Sequence, residues 1–361
     1  MATITLNRQA VSTAYAPLIM ISDPLREGLP RPGTDTPRLD YLEIARLLDG
    51  DVVSAETGRS LGARFMRRLE QYSRLNFTEA FGVARELDSY TAVLSTSEKV
   101  AIPLAAMLAA KGQRVPHVVI AHRLSSRFKQ ALFSLWPLHR SFTHVVCLCR
   151  AQAEYAVQKM GLPETAVTFI PDKVDHRFFR PPAAWIEGDY ILAVGQERRD
   201  YQTLLQAVAG TGLKLVIVAS SLWSENVALP ENTAAQLTVL HNISSQQLRK
   251  LYARARLVVT PLFDVPYAAG VNAVLEAMAM GKPLIVTRTS GISDYVVDDV
   301  TGIYTPPENP QALRRRIFRL WPDVAYRRRL GLNARLAVED GMNLDSYTRR
   351  ITQLVLAASA M

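Results

Sequence analysis

The chain has 361 residues, for which two domains are the natural expectation. Hydrophobic residues make up 48% and charged residues 21%, an ordinary balance for a globular protein, and no apolar run approaches the roughly 20 residues that span a bilayer. The net charge of +9 permits anionic partners, but no zinc-finger spacing, helix-turn-helix pattern or aromatic RNA-binding strand accompanies it, which argues against nucleic acid.

No charged leader with a cleavage site opens the chain, so no signal peptide is expected. Ala16 to Ser22 (APLIMIS) predicts a buried first strand, followed by a Pro/Gly-rich loop from Asp23 to Gly33. A loop at the carboxyl end of a first strand is where an α/β sheet builds its site. Thr36-Pro37 predicts a helix start with proline at the first helical position, and Leu39, Leu42, Ile44, Ala45 and Leu48 form its apolar face. Gly50-Asp51 ends it before a strand at Val52-Val53. A basic and aromatic segment carries Arg64, Phe65, Met66, Arg67, Arg68, Tyr72, Arg74 and Phe77. Tyr90 to Ser95 predicts a strand, Lys99 to Ala110 a helix, and Val115 to Ala121 a strand ending at His122. Arg127 to Arg140 (RFKQALFSLWPLHR) predicts one basic helix with Phe128, Leu132, Leu135 and Trp136 on one face. Such a helix either packs on the sheet or lies in a membrane interface. Cys147 and Cys149 share one face of the next strand and predict buried free thiols, hence a reducing, cytoplasmic setting. A helix from Arg150 to Met160 and a short strand from Val167 to Pro171 follow.

Pro181-Pro182 marks a stiff connector before a second domain. Tyr190 to Val194 predicts a strand closed by Gly195, and the run Gln196-Glu197-Arg198-Arg199 is either a solvated charge cluster or a fork for phosphate oxygens. Strands from Leu213 to Ala219, Leu237 to Leu240 and Leu257 to Thr260 alternate with helices from Thr203 to Ala209 and Ser245 to Ala255. The most informative stretch runs from Pro261 to Gly302. A turn-rich loop, Phe263 to Ala269, feeds a helix from about Gly270 to Met280 in which Val271, Val274, Leu275, Met278 and Ala279 fall at helical spacing. Gly281-Lys282-Pro283 stops the helix before a buried strand at Leu284 to Val286. A loop feeding a helix N-terminus is a ready anion site, and Gly270 lets backbone approach a ligand closely. Glu276 is a lone carboxylate on an otherwise apolar helix, a costly placement unless it is paired. Beyond Gly302 the chain is helical and basic, and the runs Arg314-Arg315-Arg316 and Arg327-Arg328-Arg329 are expected to face solvent. Strands alternating with helices predict parallel sheets with right-handed crossovers.

Leu275-Glu276-Ala277-Met278-Ala279-Met280-Gly281-Lys282-Pro283 resembles the retaining glycosyltransferases of family 4, whose pattern is Glu, seven residues, then Glu-Ala-Met-Ala-x-Gly-x-Pro. The resemblance is strongest from about Tyr190 to Pro307 and looser from Val115 to Pro182, where Asp172-Lys173-Val174-Asp175 resembles the family's interdomain link. It implies a GT-B fold: α/β, two Rossmann-like domains with parallel sheets facing across a cleft. Residues 1–182 would be the acceptor domain, 183–342 the nucleotide-sugar domain, and 343–361 a helix crossing back to the first. The implied activity is retaining, metal-independent transfer of a hexosyl group from a UDP- or GDP-sugar. No cofactor is implied, because cationic side chains take the place of Mg²⁺. By resemblance, Glu276 grips the ribose hydroxyls. Gly195, Gln196, Arg198 and Arg199 occupy the family's diphosphate run, with Gln196 where an Arg is usual and Arg199 aligned with its Lys. Ala269, Gly270 and Val271 provide backbone at the donor, Asn242 and Ile243 approach the base, and His122 reaches the donor sugar. His122 and Arg199 are the implied catalytic residues. The pattern's first Glu falls at position 268, which is Ala here. The acceptor would be a lipid or small molecule, with peripheral contact at the inner membrane face through residues 127–140. Two rival readings share the fold. One is a nucleotide-sugar epimerase or phosphorylase; the other is a catalytically impaired sugar-nucleotide-binding subunit, favoured by Ala268 and Gln196.

Overall fold

Apolar strands and amphipathic helices alternate along two α/β units in the computed structural model, which describes residues 2–5, 16–22, 36–54, 70, 75–84, 87, 90–219 and 236–360. One unit takes the described residues up to Ile170, other than 36–37, together with those from Thr348; the other takes 36–37 and Pro171–Tyr347. The fold is GT-B. The predicted loop from Asp23 to Gly33 and the segment from Arg64 to Arg68 lie outside the described residues.

In the first unit seven strands lie in the order β1-β3-β2-β4-β5-β6-β7. They are β1 Ala2–Thr5, β2 Ala16–Met20, β3 Asp51–Ser54, β4 Tyr90–Ser95, β5 His117–Ala121, β6 His144–Cys147 and β7 Val167–Phe169. β1 pairs antiparallel with β3, and every other pairing is parallel. Leu18–Met20, Ala92–Leu94, Val118–Ala121 and Val145–Cys147 are all buried, as a parallel sheet covered on both faces requires. Both cysteines are buried free thiols. The helices between the strands are α1 Asp40–Leu48, α2 Phe77–Val83, α3 Glu98–Lys111, α4 Arg127–Leu135 and α5 Arg150–Gln158.

Two predicted helix limits are corrected. α1 opens at Asp40, not at Pro37, because Leu39 is still extended and the Asp40 carboxylate accepts the Tyr41 N–H at 2.9 Å. Acidic Asp40 and Glu43 then sit in the first turn, where the helix dipole favours them. α4 ends at Leu135 instead of running to Arg140. Trp136 is extended (φ −140°, ψ 105°), as the residue before a proline prefers, and a separate 3-10 turn spans Leu138–Ser141. The face that α4 buries carries Phe133, whereas Phe128, Leu135 and Trp136 are exposed, Leu135 to 87%.

The second unit has six parallel strands in the order β10-β9-β8-β11-β12-β13. They are β8 Tyr190–Val194, β9 Lys214–Val218, β10 Gln236–Leu240, β11 Leu257–Thr260, β12 Leu284–Thr287 and β13 Ile303–Thr305. Its helices are α6 Tyr201–Val208, α7 Ser245–Arg254, α8 Val271–Ala279, α9 Pro310–Leu320 and α10 Val324–Asp340, and α11 Leu344–Ser359 ends the chain. The strand order turns outward in both directions from the β8–β11 pair, registered Ile191↔Leu257 and Leu192↔Val258. A crevice opens beyond the carboxyl ends of strands at such a switch point.

One predicted solvent face is overturned. Arg327 is 1% exposed. Its Nε and Nη2 donate to the Glu187 carboxylate at 2.8 and 2.7 Å, and Nη1 donates to the Leu320 and Trp321 carbonyls. The bidentate partner and two carbonyls satisfy a guanidinium that would otherwise be expensive to bury. Arg328 and Arg329 remain exposed. Among the described residues no helix is long and apolar enough to cross a membrane.

Candidate functional site

The loops that follow β8 and β11 meet at the switch point. β8 stops at Gly195, whose φ of 102° suits glycine. The chain then doubles back, so that Arg199 points at the strand end it has just left. Its Nε donates to the Val194 carbonyl at 2.9 Å and its Nη1 to the Glu197 carbonyl at 2.8 Å. The guanidinium fills a slot walled by two glycines. A Cβ on Gly195 would fall 2.3 Å from Arg199 Nη2, and one on Gly270 would fall 2.9 Å from Nη1. Arg199 is 6% exposed, which overturns the solvated-cluster alternative. Burial lowers its pKa from the ordinary value, and Tyr201, Tyr252, Glu197 and Glu276 act the other way. Arginine is nevertheless a cation at every working pH.

The two loops are stitched together. The Phe263 N–H donates to the Arg198 carbonyl at 3.0 Å and the Asp200 N–H to the Pro261 carbonyl at 3.1 Å. The Tyr267 hydroxyl donates to the Glu197 carboxylate at 3.0 Å. Gly291 lies so close that a Cβ there would be 1.9 Å from the Tyr267 carbonyl oxygen. Gly270, at φ 83°, is the N-cap of α8, and no side chain caps the amides that follow. Cation and helix N-terminus therefore converge, a pairing of positive charge suited to phosphate oxygens.

Glu276 lies on α8, part-buried, and the Tyr252 hydroxyl donates to its Oε2 at 2.9 Å. Burial pushes the carboxyl up, the Tyr252 hydrogen bond and the Arg199 charge pull it down, and the balance stands at about 7. Tyr252, on α7, is wholly buried, and its phenol is held well above its ordinary value by burial and by Glu276. The carboxyl thus has one fixed donor and titrates near neutrality.

The remaining predicted residues are distributed as follows. Ala269 and Val271 are buried in the loop and first helical turn on either side of Gly270. Gln196 is half-buried, and its carbonyl accepts the Arg199 N–H at 3.2 Å. Arg198 has a left-handed backbone (φ 55°) and is exposed, so Arg199 and not Arg198 fills the glycine slot. Asn242 (φ 52°) and Ile243 follow the edge strand β10, two places from β8. His122 belongs to the first unit, at the end of β5. It is exposed, and its Nε2 lies 3.0 Å from the Thr96 carbonyl oxygen. Sequence reasoning missed Tyr252, Glu197, Tyr267 and Gly291. Only Tyr252 left a signal, as a tyrosine on the apolar face of a helix whose hydroxyl needs a buried partner.

The family Glycosyl transferases group 1 matches residues 186–337, and Glycosyltransferase Family 4 matches residues 44–178. The two matches fall on different stretches of the chain, one within the second unit and the other mainly in the first. An uncharacterized glycosyltransferase of Methanocaldococcus jannaschii is 29% identical over 154 residues, 41% of this chain and 38% of that protein. A D-inositol 3-phosphate glycosyltransferase of Salinispora arenicola is 28% identical over 196 residues, 52% of this chain and 40% of that protein. The chain thus spans about two fifths of the length of these relatives. Among solved structures, HepE of Anabaena in complex with UDP-glucose has a TM-score of 0.71 at 15% identity, covering 96% of this chain and all of that one. Sucrose-phosphate synthase of Thermosynechococcus elongatus has a TM-score of 0.68 at 16% identity, covering 96% and 99%. At these identities the structural likeness speaks for the fold.

Proposed function

We propose that this chain is a GT-B glycosyltransferase, which moves a hexosyl group from a UDP- or GDP-sugar to an acceptor with retention of configuration. The observation that carries the reading is the Arg199 guanidinium held between Gly195 and Gly270 at the open N-terminus of α8. A departing diphosphate gathers negative charge, and a preorganised donor aimed at such charge is typically worth about 3–4 kcal/mol on removal. In this reading Arg199 and the α8 amides take the diphosphate, with Gln196, Ala269 and Val271 shaping the backbone around it. Glu276 accepts from the ribose hydroxyls, and Asn242 and Ile243 stand toward the base. His122 is read as the contact to the donor sugar. No protein general base is assigned, because the diphosphate itself takes the acceptor proton. The UDP-glucose complex of the Anabaena neighbour supports a UDP-sugar as the first donor to try. For the acceptor we favour a lipid, supported by exposed Leu135 and Trp136 beside exposed Arg127 and Arg140.

Calorimetric titration with a panel of UDP- and GDP-hexoses tests this. One of them is expected to bind the wild-type chain. Glu276→Ala should weaken that binding by about 30-fold, the loss of a roughly 2 kcal/mol charge-assisted contact. Arg199→Ala should mainly lower turnover. Unchanged donor affinity in a folded Glu276→Ala chain removes the site. The second reading, a binding subunit with impaired chemistry, is favoured by Ala268 and Gln196. Hydrolysis of the bound donor by the wild-type chain, with water as acceptor, counts against it.

A further inference from the structure

The loop that carries His122 is gripped by a carboxylate which the donor slot does not use. Glu98 opens α3 and is 2% exposed. Its Oε2 accepts the His122 N–H at 3.0 Å, and its Oε1 accepts the Arg123 N–H at 2.9 Å and the Lys129 ammonium of α4. The next amide, Leu124, donates at 2.7 Å to Oε1 of Gln152, which lies on α5 and is 1% exposed. Gln152 Nε2 in turn donates to the Ser125 hydroxyl at 3.0 Å, and Lys129 Nζ to the Arg123 carbonyl at 2.8 Å. Three consecutive amides therefore end on two buried side chains supplied by two different helices. Burial alone would raise the Glu98 carboxyl, but the Lys129 and His122 charges and the hydrogen bonds they donate outweigh it and hold it at about 2. An ammonium and two amides on its oxygens favour the anionic form of Glu98. His122 is held at both ends by the β4–α3 turn: its backbone by Glu98, its ring by the Thr96 carbonyl 3.0 Å away. His122 is exposed and could satisfy its amide with water, whereas Leu124 is buried and needs a protein acceptor. A buried charged clamp is an expensive way to hold the His122 amide, and what it secures is one orientation of the loop.

We propose that Glu98 is a positioning residue for glycosyl transfer, fixing with Gln152 the backbone of residues 122–124 so that the His122 imidazole is presented in a single pose. The inference rests on the reading of His122 as a donor-sugar contact. Glutamine at position 98 would offer one carbonyl oxygen where two oxygens now serve two amides and an ammonium, and would turn its NH₂ toward a donor. A displacement of about 1 Å at a reacting group can lower rates about 100-fold.

The test is a double-mutant cycle on the full chain, reading hydrolysis of whichever UDP- or GDP-hexose the wild type turns over fastest. Glu98→Gln should lower kcat by about 10- to 100-fold in the wild-type background, and by less than about twofold when His122 is already Ala, because neighbours acting through one group are not additive. Amide hydrogen exchange should also rise at residues 122–124 in Glu98→Gln. An equal loss in both backgrounds overturns the proposal, since it would mark a general effect on folding. Unchanged exchange at 122–124 overturns it as well. Wild-type turnover in His122→Ala would instead sink the reading of His122, and the positioning role with it, while the exchange data still report whether the clamp exists. Should Glu98→Gln fail to fold, Gln152→Met, which removes only the Leu124 acceptor and the Ser125 donor, takes its place in the same cycle.

Discussion

In the proposed reading, Glu276 meets opposite demands in the free and the liganded chain. Its pKa of about 7 lies above the ordinary 4.5 because burial disfavours the anion more than Tyr252 and Arg199 support it. The folded chain therefore holds the proton more tightly than the unfolded chain does. Linkage fixes the sign: the stabilisation is complete below pH 4.5 and is lost as pH rises through about 7. Glu276→Gln keeps an acceptor for Tyr252 and carries no charge. Its melting temperature should match wild type near pH 4.5 and exceed it at pH 8, the gap opening between those values. Calorimetry from pH 4 to 9 measures this, and a gap that does not grow with pH would show that the carboxyl is solvated. A residue that destabilises the free protein is what a site built for a ligand is expected to contain. Glu276 was legible in the sequence as a lone acid on an apolar helix. Its pairing with Tyr252 was not, because the contact joins two helices and has no fixed spacing. The slot around Arg199 was half legible. The cation could be read from the run after β8, but the need for glycine at both 195 and 270 appears only once β8 and β11 lie side by side.

At the scale of elements, α8 is anchored by a backbone crossing. A Cβ on Gly331 of α10 would lie 2.0 Å from the Gly281 carbonyl oxygen, at the residue where α8 ends in a left-handed turn (φ 63°). Helix propensity alone says that Gly331→Ala should stabilise α10 by about 1 kcal/mol. The crossing says the reverse, because the obstacle is backbone and overpacking of this kind costs about 1–3 kcal/mol. Urea denaturation should show Gly331→Ala less stable than wild type by an amount in that range. A more stable variant would mean that the two helices are not in contact. Element limits were legible wherever a local rule decided them. Gly112 closes α3 in the left-handed region as a glycine should. The over-long α4 broke a local rule, since Pro137 already bars Trp136 from helical geometry. Arg327 followed no local rule: its neighbours in sequence are exposed arginines, and its burial depends on Glu187, which precedes β8.

Over the whole molecule the alternation of strand and helix made the two parallel-sheet units legible, while the antiparallel β1 at the edge of the first sheet left no signature. The distribution of charge says more than its total. Residues 99–153 contain no Asp or Glu, yet include Lys99, Lys111, Arg114, Arg123, Arg127, Lys129, Arg140 and Arg150. Within this one-signed stretch stand exposed Phe128, Leu135 and Trp136, large apolar side chains that an aqueous surface does not favour together. Basic residues near an anionic bilayer contribute about 1 kcal/mol each, and a tryptophan at the headgroup level adds an anchor. The chain is therefore expected to sediment with vesicles containing phosphatidylglycerol and far less with pure phosphatidylcholine. Raising the salt to about 0.5 M should weaken the binding, because the Debye length falls well below the roughly 10 Å of 0.1 M salt. Leu135→Glu with Trp136→Glu places two acids on the apolar tip without touching the packed face around Phe133, so the fold should survive and binding should be lost. Equal binding to neutral vesicles would remove the electrostatic part of the argument. Undiminished binding of the double variant would remove α4 as the contact and leave the acceptor to be sought among small soluble molecules.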